Sequence, residues 1–310
     1  MMQSTAQPVL PALPGLDELL ALRGAAHGLV LGSRSSARAR LHGMHASAQR
    51  GRGLEFQEVR PYVPGDDPRT IDWRVTARRG RAHTKLFCEE RERPVWLLVD
   101  LSPALFFGTR RQLKSALGVR AAALLAWIAA LGGDRIGAVL ACGARGTRVL
   151  PPRAREAGVL PLLDALLTLQ PREPAAGNPP CLLEGLRTLL PLVRPGSLIL
   201  LLSDFAALDA ALETLCSALA VSGDCRLFWI TDTLEEHSLP NGRFRAGLPG
   251  RLRVIDGARE RRGWQTAWRE REARLAALSQ RIAAPLLRLD TGEPVEDALR
   301  PLLQGRPTAA

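Results

Sequence analysis

Three apolar runs in this chain close on an aspartate: VWLLVD at Asp100, SLILLLSD at Asp204 and CRLFWITD at Asp232. Carboxylates gathered at one end of a sheet repel one another, and a hard cation that prefers oxygen ligands, such as Mg²⁺, relieves that repulsion. Ser102, in the LSPA that follows Asp100, offers a hydroxyl to the same place. The chemistry this pattern permits is cation binding, and through a bound cation either ligand capture or hydrolysis. The competing role is structural: an acid that follows a strand often caps the next helix through its backbone N–H groups.

A second concentration of polar groups lies at RPYVPGDDPRTIDWRVTARRGR, Arg60 to Arg81, with three aspartates, six arginines and a tryptophan. Val63-Pro64-Gly65-Asp66 suits a tight turn, since Pro fixes one dihedral and Gly supplies the unusual one. Asp67 stands where an N-cap belongs and Pro68 at a first helical position, where its missing N–H costs nothing. A short helix from there sets Asp72 three residues after Arg69, within pairing distance on one face. Such a network is expensive to bury unless every charge is paired, so it should be pre-formed and rigid. Asp66 or Asp72 could act as a general base, but no Ser/His/Asp or Cys/His arrangement accompanies them, the five histidines lying in unrelated segments. His83 and Cys88 fall on opposite faces of an alternating strand. The segment reads as a clamp holding the N-terminal arm to the sheet, and as a surface on which Trp73, Arg74, Arg78, Arg79 and Arg81 are natural interface anchors.

The elements that would position these groups are legible downstream of Val95, where short apolar runs alternate with helical patterns, as in repeated β-α units around a parallel sheet. Val95–Asp100, Ser197–Asp204 and Cys225–Asp232 are too apolar to be half exposed and read as buried strands. Helices are expected over Lys114–Gly133, Arg155–Leu169, Leu182–Leu190, Leu208–Val221 and Arg259–Ile282. RIGAVLACGARGTRVLPP gives two strands joined by a Gly-rich turn, LRVIDG one further strand and LLRLDT a last one. The expected fold is α/β, a Rossmann-like parallel sheet flanked by helices, in which ligands bind beyond the carboxyl ends of the strands where strand order reverses. Residues 1–93, with a short helix at Leu16–Leu22, have too few apolar runs for a core of their own. They are expected to pack as an extension on a domain spanning 94–310.

Composition narrows the partners. The chain has 310 residues, a formal net charge of +11 and an isoelectric point near 10.8. That balance would favour nucleic acid, yet all but Lys85 and Lys114 of the 42 basic residues are arginine, scattered among acids, and aromatic stacking positions are few. Nucleic acid is therefore not the expected partner. Five cysteines without a CxxC pair fit a reducing compartment. No run reaches the roughly 18 uninterrupted apolar residues of a membrane span, and MMQSTAQPVLPALPG lacks a signal peptide's basic start and hydrophobic stretch. A cytoplasmic protein without a membrane span is expected.

DLSPA after a buried strand, with LSD closing a later one, resembles the von Willebrand factor A-type domain and its metal-ion-dependent adhesion site. The resemblance implies a partial site for weakly bound Mg²⁺ made by Asp100, Ser102 and Asp204. The pattern departs from that family at Ala104, where a second serine is usual, and in AAGNPPCLLEGL, where Asn178 is the nearest oxygen donor to an absent threonine. The upstream segment resembles the signature of the bacterial domain-of-unknown-function 58 family, R-x-Y-x-x-G-D-x-x-R-x-I-x-W-x-x-x-A-R. Arg60, Tyr62, Gly65, Asp66, Arg69, Ile71, Trp73, Ala77 and Arg78 supply its fixed letters. This resemblance implies a non-enzymatic adaptor that works with a MoxR-type AAA+ ATPase and a client protein in maturation, folding or metal insertion. No GxxxxGK[ST] occurs in the chain, so energy would come from the partner. The alternatives are a divalent-metal-dependent binder or hydrolase and, third, a basic nucleic-acid-binding protein.

Overall fold

The computed structural model describes residues 13–31, 54–63, 66, 68–89, 93–174, 181–248 and 251–303. They divide into two compact units. One contains helix α1 (Leu16–Ala26) and the chain from Arg93 onward. The other lies between Ser36 and Glu92 and holds strand β1 (Leu54–Pro61), a 3₁₀ turn at Pro68–Thr70, helix α2 (Trp73–Arg79) and strand β2 (His83–Glu89). In that smaller unit β1 and β2 pair antiparallel, with a register shift between Phe56 and Glu58.

The larger unit runs β3 (Pro94–Asp100), α3 (Lys114–Leu131), β4 (Arg135–Ala141), β5 (Thr147–Ala154), α4 (Glu156–Leu169), α5 (Cys181–Leu189), β6 (Ser197–Ser203), α6 (Ala210–Ser222) and β7 (Gly223–Thr231). It continues with α7 (Thr233–His237), β8 (Arg243–Leu248), β9 (Arg251–Asp256), α8 (Gly257–Arg281), β10 (Leu286–Asp290) and α9 (Val295–Leu303). Six strands form one sheet in the order β10-β7-β6-β3-β4-β5. All neighbours pair parallel except β4 and β5, which form an antiparallel pair at one edge. This is the Rossmann-like α/β architecture expected from the sequence. The chain leaves β3 toward β4 on one side and returns to β6 on the other, so the order reverses between β3 and β6, the place where such sheets bind ligands.

The central strands are continuous apolar runs because both faces are covered. Val95, Leu97 and Val99 of β3 join one core, and Trp96 and Leu98 the other. Residues of α1, α3, α4 and α9 build the first core, and those of α5, α6 and α8 the second. Close approach sets some residue choices: a Cβ on Gly185 of α5 would come within 2.7 Å of Leu98 Cδ1. Helix α3 is apolar on every side because sheet and helices enclose it, α1 among them, and the Trp127 indole N–H donates to the Leu19 carbonyl at 3.0 Å. By length and composition α3 could cross a membrane, contrary to the expectation from uninterrupted apolar runs, but 83% of it is buried inside the fold.

Several boundaries differ from the expectations. LRVIDG does not join the main sheet; it is the second strand of a β8-β9 hairpin, and its partner RFRAGL was hidden by alternating arginines. Helix α8 starts at Gly257 because Asp256 accepts hydrogen bonds from the N–H groups of Ala258 and Arg259. Helix α1 extends to Ala26, and α9 had no counterpart in the sequence reading. Positions 175–180 of the Pro/Gly/Asn loop, Asn178 included, lie outside the described residues.

Candidate functional site

Asp100 and Asp204 converge as the strand pattern requires. Val99 of β3 pairs with Leu202 of β6, so the two acids emerge side by side at the point where strand order reverses, 5% and 6% exposed. The Asp100 carboxylate accepts the Ser102 N–H at 3.0 Å and the Ser203 hydroxyl at 2.6 Å. Burial, and then the neighbouring Asp204 charge, push the Asp100 carboxyl up to about 6, against the pull of the hydrogen bonds from Ser203 and Ser102. Ser102 therefore serves Asp100. Ala104 lies in the 3₁₀ turn Pro103–Leu105 that follows.

Asp204 has a different partner. One of its oxygens accepts the Ala206 N–H at 3.0 Å, and the other meets the Lys114 ammonium at 2.7 Å. The same ammonium reaches Glu235 at 2.9 Å and sits 5.8 Å from the centre of the Phe107 ring. Burial raises the Asp204 carboxyl, but the Lys114 charge and hydrogen bond outweigh it and hold Asp204 below the ordinary carboxylate range. Burial pulls in the opposite sense on Lys114, and there too the Asp204 and Glu235 charges prevail, so the lysine stays protonated. Arg271, 3.9 Å from Glu235, completes the balance.

The donor set does not fit a divalent cation. The Lys114 ammonium already occupies Asp204, and each added unit of positive charge about 4 Å from it would meet roughly 4 kcal/mol of repulsion at an effective dielectric constant near 20. Among the described residues no group of three or more His, Cys, Asp or Glu side chains is arranged to hold a metal ion.

Asp232, the third strand-end acid, is a structural cap. Fully buried, it accepts the Thr109 N–H at 2.8 Å, the hydroxyls of Thr109 and Thr291 at 2.5 Å each, and the Leu234 N–H at 2.9 Å. With Glu235 bonding back to the Asp232 N–H at 3.1 Å, it forms a capping box on α7. Burial raises its carboxyl, and the combined donations of Thr109, Thr291 and Leu234 bring it below the usual value.

In the smaller unit the signature residues form a local frame. The Arg60 guanidinium pairs with Asp66 at 2.7 Å and, by that hydrogen bond, holds the Asp66 carboxyl below its ordinary value. Asp66 also accepts the Val63 N–H at 3.0 Å, and the Tyr62 hydroxyl donates to the Asp66 carbonyl at 3.3 Å. Gly65 and Asp67 lie outside the described residues. The helix does not run from Pro68 through Asp72. A 3₁₀ turn at Pro68–Thr70, which carries Arg69, comes first, and Asp72 then caps α2 by accepting the N–H groups of Arg74 and Val75 at 3.0 and 3.1 Å. The local preference of Asp for bonding backbone N–H groups two and three residues on prevails here over helix continuation. Gly80, at φ 67°, closes the helix with its N–H on the Thr76 carbonyl at 2.9 Å. Outside this frame Trp73 stands 70% exposed, beside the exposed Arg74, Arg78, Arg79 and Arg81.

The remaining nucleophiles are quiet. Cys142, Cys181, Cys216 and Cys225 are free and buried, and burial pushes Cys181 up to about 11 and Cys216 and Cys225 to about 12. A thiol held neutral in this way is a packing group, since the thiolate is the reactive form. His83 is buried, its ring nitrogen Nδ1 2.7 Å from the Arg81 carbonyl; the Cys88 side chain lies outside the described residues.

Sequence reasoning missed Lys114, Glu235, Thr109 and Thr291. Lys114 carried a usable signal, because it is one of two lysines in the chain and heads a helix otherwise almost wholly apolar. A charge in that setting needs a partner.

The parallel sheet, with buried acids where strand order reverses, places the protein among Rossmann-like α/β proteins. The family model described as "Protein of unknown function DUF58" matches residues 58–266, from the signature segment into α8. The chain belongs to that family. It is 42% identical over 135 residues to "Uncharacterized protein Rv1480" of Mycobacterium tuberculosis and to "Uncharacterized protein Mb1516" of Mycobacterium bovis, covering 44% of this chain. The match spans 42% of the length of those relatives. Among solved structures, an aerotolerance-related membrane protein from Bacteroides fragilis aligns over 69% of this chain and 100% of its own, with 12% identity and a TM-score of 0.44. A membrane-spanning protein from Vibrio fischeri aligns over 67% of this chain and 94% of its own, with 19% identity and a TM-score of 0.21. Likenesses of this size establish nothing further about this chain.

Proposed function

We propose that the chain is a non-enzymatic cytoplasmic adaptor that docks a MoxR-type AAA+ ATPase and a client protein, in protein maturation, folding or metal insertion. The observation that carries this reading is the 70% exposure of Trp73 on a helix fixed at both ends, beside four exposed arginines. Trp and Arg are the residues most enriched at binding hot spots. A surface already ordered before binding loses less conformational freedom on association. Neither Asp66 nor Asp72 is suited to base catalysis: Asp66 is ion-paired with Arg60, and Asp72 accepts the N–H groups at the start of the helix. The strand-end acids are likewise engaged by Ser203, Ser102 and Lys114.

Co-purification of the full chain with a MoxR-type ATPase, with and without nucleotide, tests the reading. A complex is expected, and Trp73→Ala or Arg78→Ala should weaken it by about 30-fold, the hot-spot scale of 2 kcal/mol, with an unchanged melting temperature. No complex in either nucleotide state would sink the proposal. Variants that melt the smaller unit would show instead that the segment serves the fold.

A further inference from the structure

We propose that Lys114 is a built-in cation: its ammonium holds the place among the strand-end carboxylates where a divalent ion would sit, so the rim works without metal. The inference rests on different residues from the adaptor reading and stands or falls separately.

Four observations point the same way. The ammonium lies 2.7 Å from Asp204, just after β6, and 2.9 Å from Glu235, in the helix that follows β7, bridging acids from two separate strand–helix connections, as a coordinated ion would. Lys114 is 2% exposed, a burial that lysine avoids unless paired. It also opens α3, the end of a helix where the macrodipole disfavours positive charge. Both penalties are offset chiefly by the two acids, with the Phe107 ring adding a weaker contact. Finally, the composition writes almost every basic residue as arginine, yet this position keeps lysine. An ammonium is a compact point charge with three rotatable donors, as close to a small cation as a side chain comes, whereas a guanidinium is a flat fork that needs more room.

Removing the ammonium should uncover a weak cation site made by the two carboxylates it bridges, with water completing the coordination. Mg²⁺-sized ions are commonly held by only one or two carboxylates. The test is Mn²⁺ binding by electron paramagnetic resonance and calorimetry, at up to about 1 mM free ion, the weak end of oxygen-ligand sites, on the wild-type full chain and on Lys114→Ala. The wild type is expected to bind no Mn²⁺ at the rim, and its melting temperature should not respond to Mn²⁺ or EDTA. Lys114→Ala should bind Mn²⁺ at least about tenfold more tightly and gain stability with it. Adding Asp204→Asn should abolish that binding.

If Lys114→Ala does not fold in EDTA, recovery of its folded spectrum on adding Mn²⁺ supports the proposal equally. If it does not recover, Lys114→Gln, which keeps a donor but loses the charge, decides: Mn²⁺ binding by that variant supports the proposal, and its failure to bind or to be restored by Mn²⁺ overturns it. Wild-type Mn²⁺ binding that Asp204→Asn removes, or a folded Lys114→Ala without affinity for the ion, overturns it as well.

Discussion

The rim of the six-stranded sheet and the helix of the smaller unit use the same residue types to opposite ends. At the rim, Lys114, Asp204, Glu235, Asp100 and Asp232 satisfy one another or neighbouring hydroxyl and backbone groups. On α2 the arginines and Trp73 face solvent, and the acid at the helix start is consumed by capping. A charge satisfied internally is a device for folding, since little is left for a partner to gain. A charge held ready on a rigid helix has its interaction energy still to be realised. The sequence motif with the look of a metal site thus holds buried, internally satisfied groups, and the motif with the look of scaffolding carries the exposed tryptophan and arginines on which the proposed docking rests.

The strongest way to break this contrast is to remove the rim's positive charge. Lys114→Met leaves buried Asp204 without its counter-ion and removes the closer of the two cations beside half-buried Glu235, which should cost about 3–5 kcal/mol and lower the melting temperature by roughly 10 °C for a domain of this size. A loss under 1 kcal/mol by chemical denaturation would mean that the rim is hydrated and open.

A second test uses sign. Because the Asp100 carboxyl is raised to about 6, the folded protein binds its proton more tightly than the unfolded chain, whose value is about 3.9. That contribution to stability is complete below about pH 4 and is lost as pH rises through about 6. Asp100→Asn stays neutral throughout, so its stability relative to wild type should climb by about 2 kcal/mol between pH 4 and pH 7.5. Asp232 lies on the other side of its ordinary value. Its contribution is present above about pH 4 and disappears as pH falls toward the depressed value. Asp232→Ala should cost about 2 kcal/mol at neutral pH, through the lost cap and stranded hydroxyls, and less in acid. Parallel pH profiles for the two variants would refute the distinction between a carboxylate strained by burial and one sustained by donors.

The sheet was legible from the sequence because doubly covered strands are written as unbroken apolar runs, as at Ser197–Ser203. The convergence of Asp100 and Asp204 was legible because both follow such runs. Lys114 was not, for its partners lie 90 and 121 residues further along the chain and no local pattern joins them. The β8-β9 hairpin escaped for another reason: Leu252 and Val254 point outward and remain exposed, so it lacks the buried face that gives a strand its alternation. At Asp72 the residue types were right and the boundary was wrong, because a cap and an internal pairing residue look alike until the helix start is known.

The smallest expected effect sharpens the contrast from the other side. Trp73 is a large aromatic, and replacing a core tryptophan with alanine would cost about 3–5 kcal/mol. At 70% exposure Trp73 buries little of its ring, and the helix under it is fixed by Asp72 and Gly80 rather than by the indole. Trp73→Ala should therefore change stability by no more than about 0.5 kcal/mol, the range for surface substitutions away from caps and buried networks. Urea unfolding followed by circular dichroism measures it directly, and an unchanged slope with denaturant would show that the folded surface is the same. A loss of 2 kcal/mol or more would place the indole inside the fold's own packing and leave α2 with nothing to offer a partner.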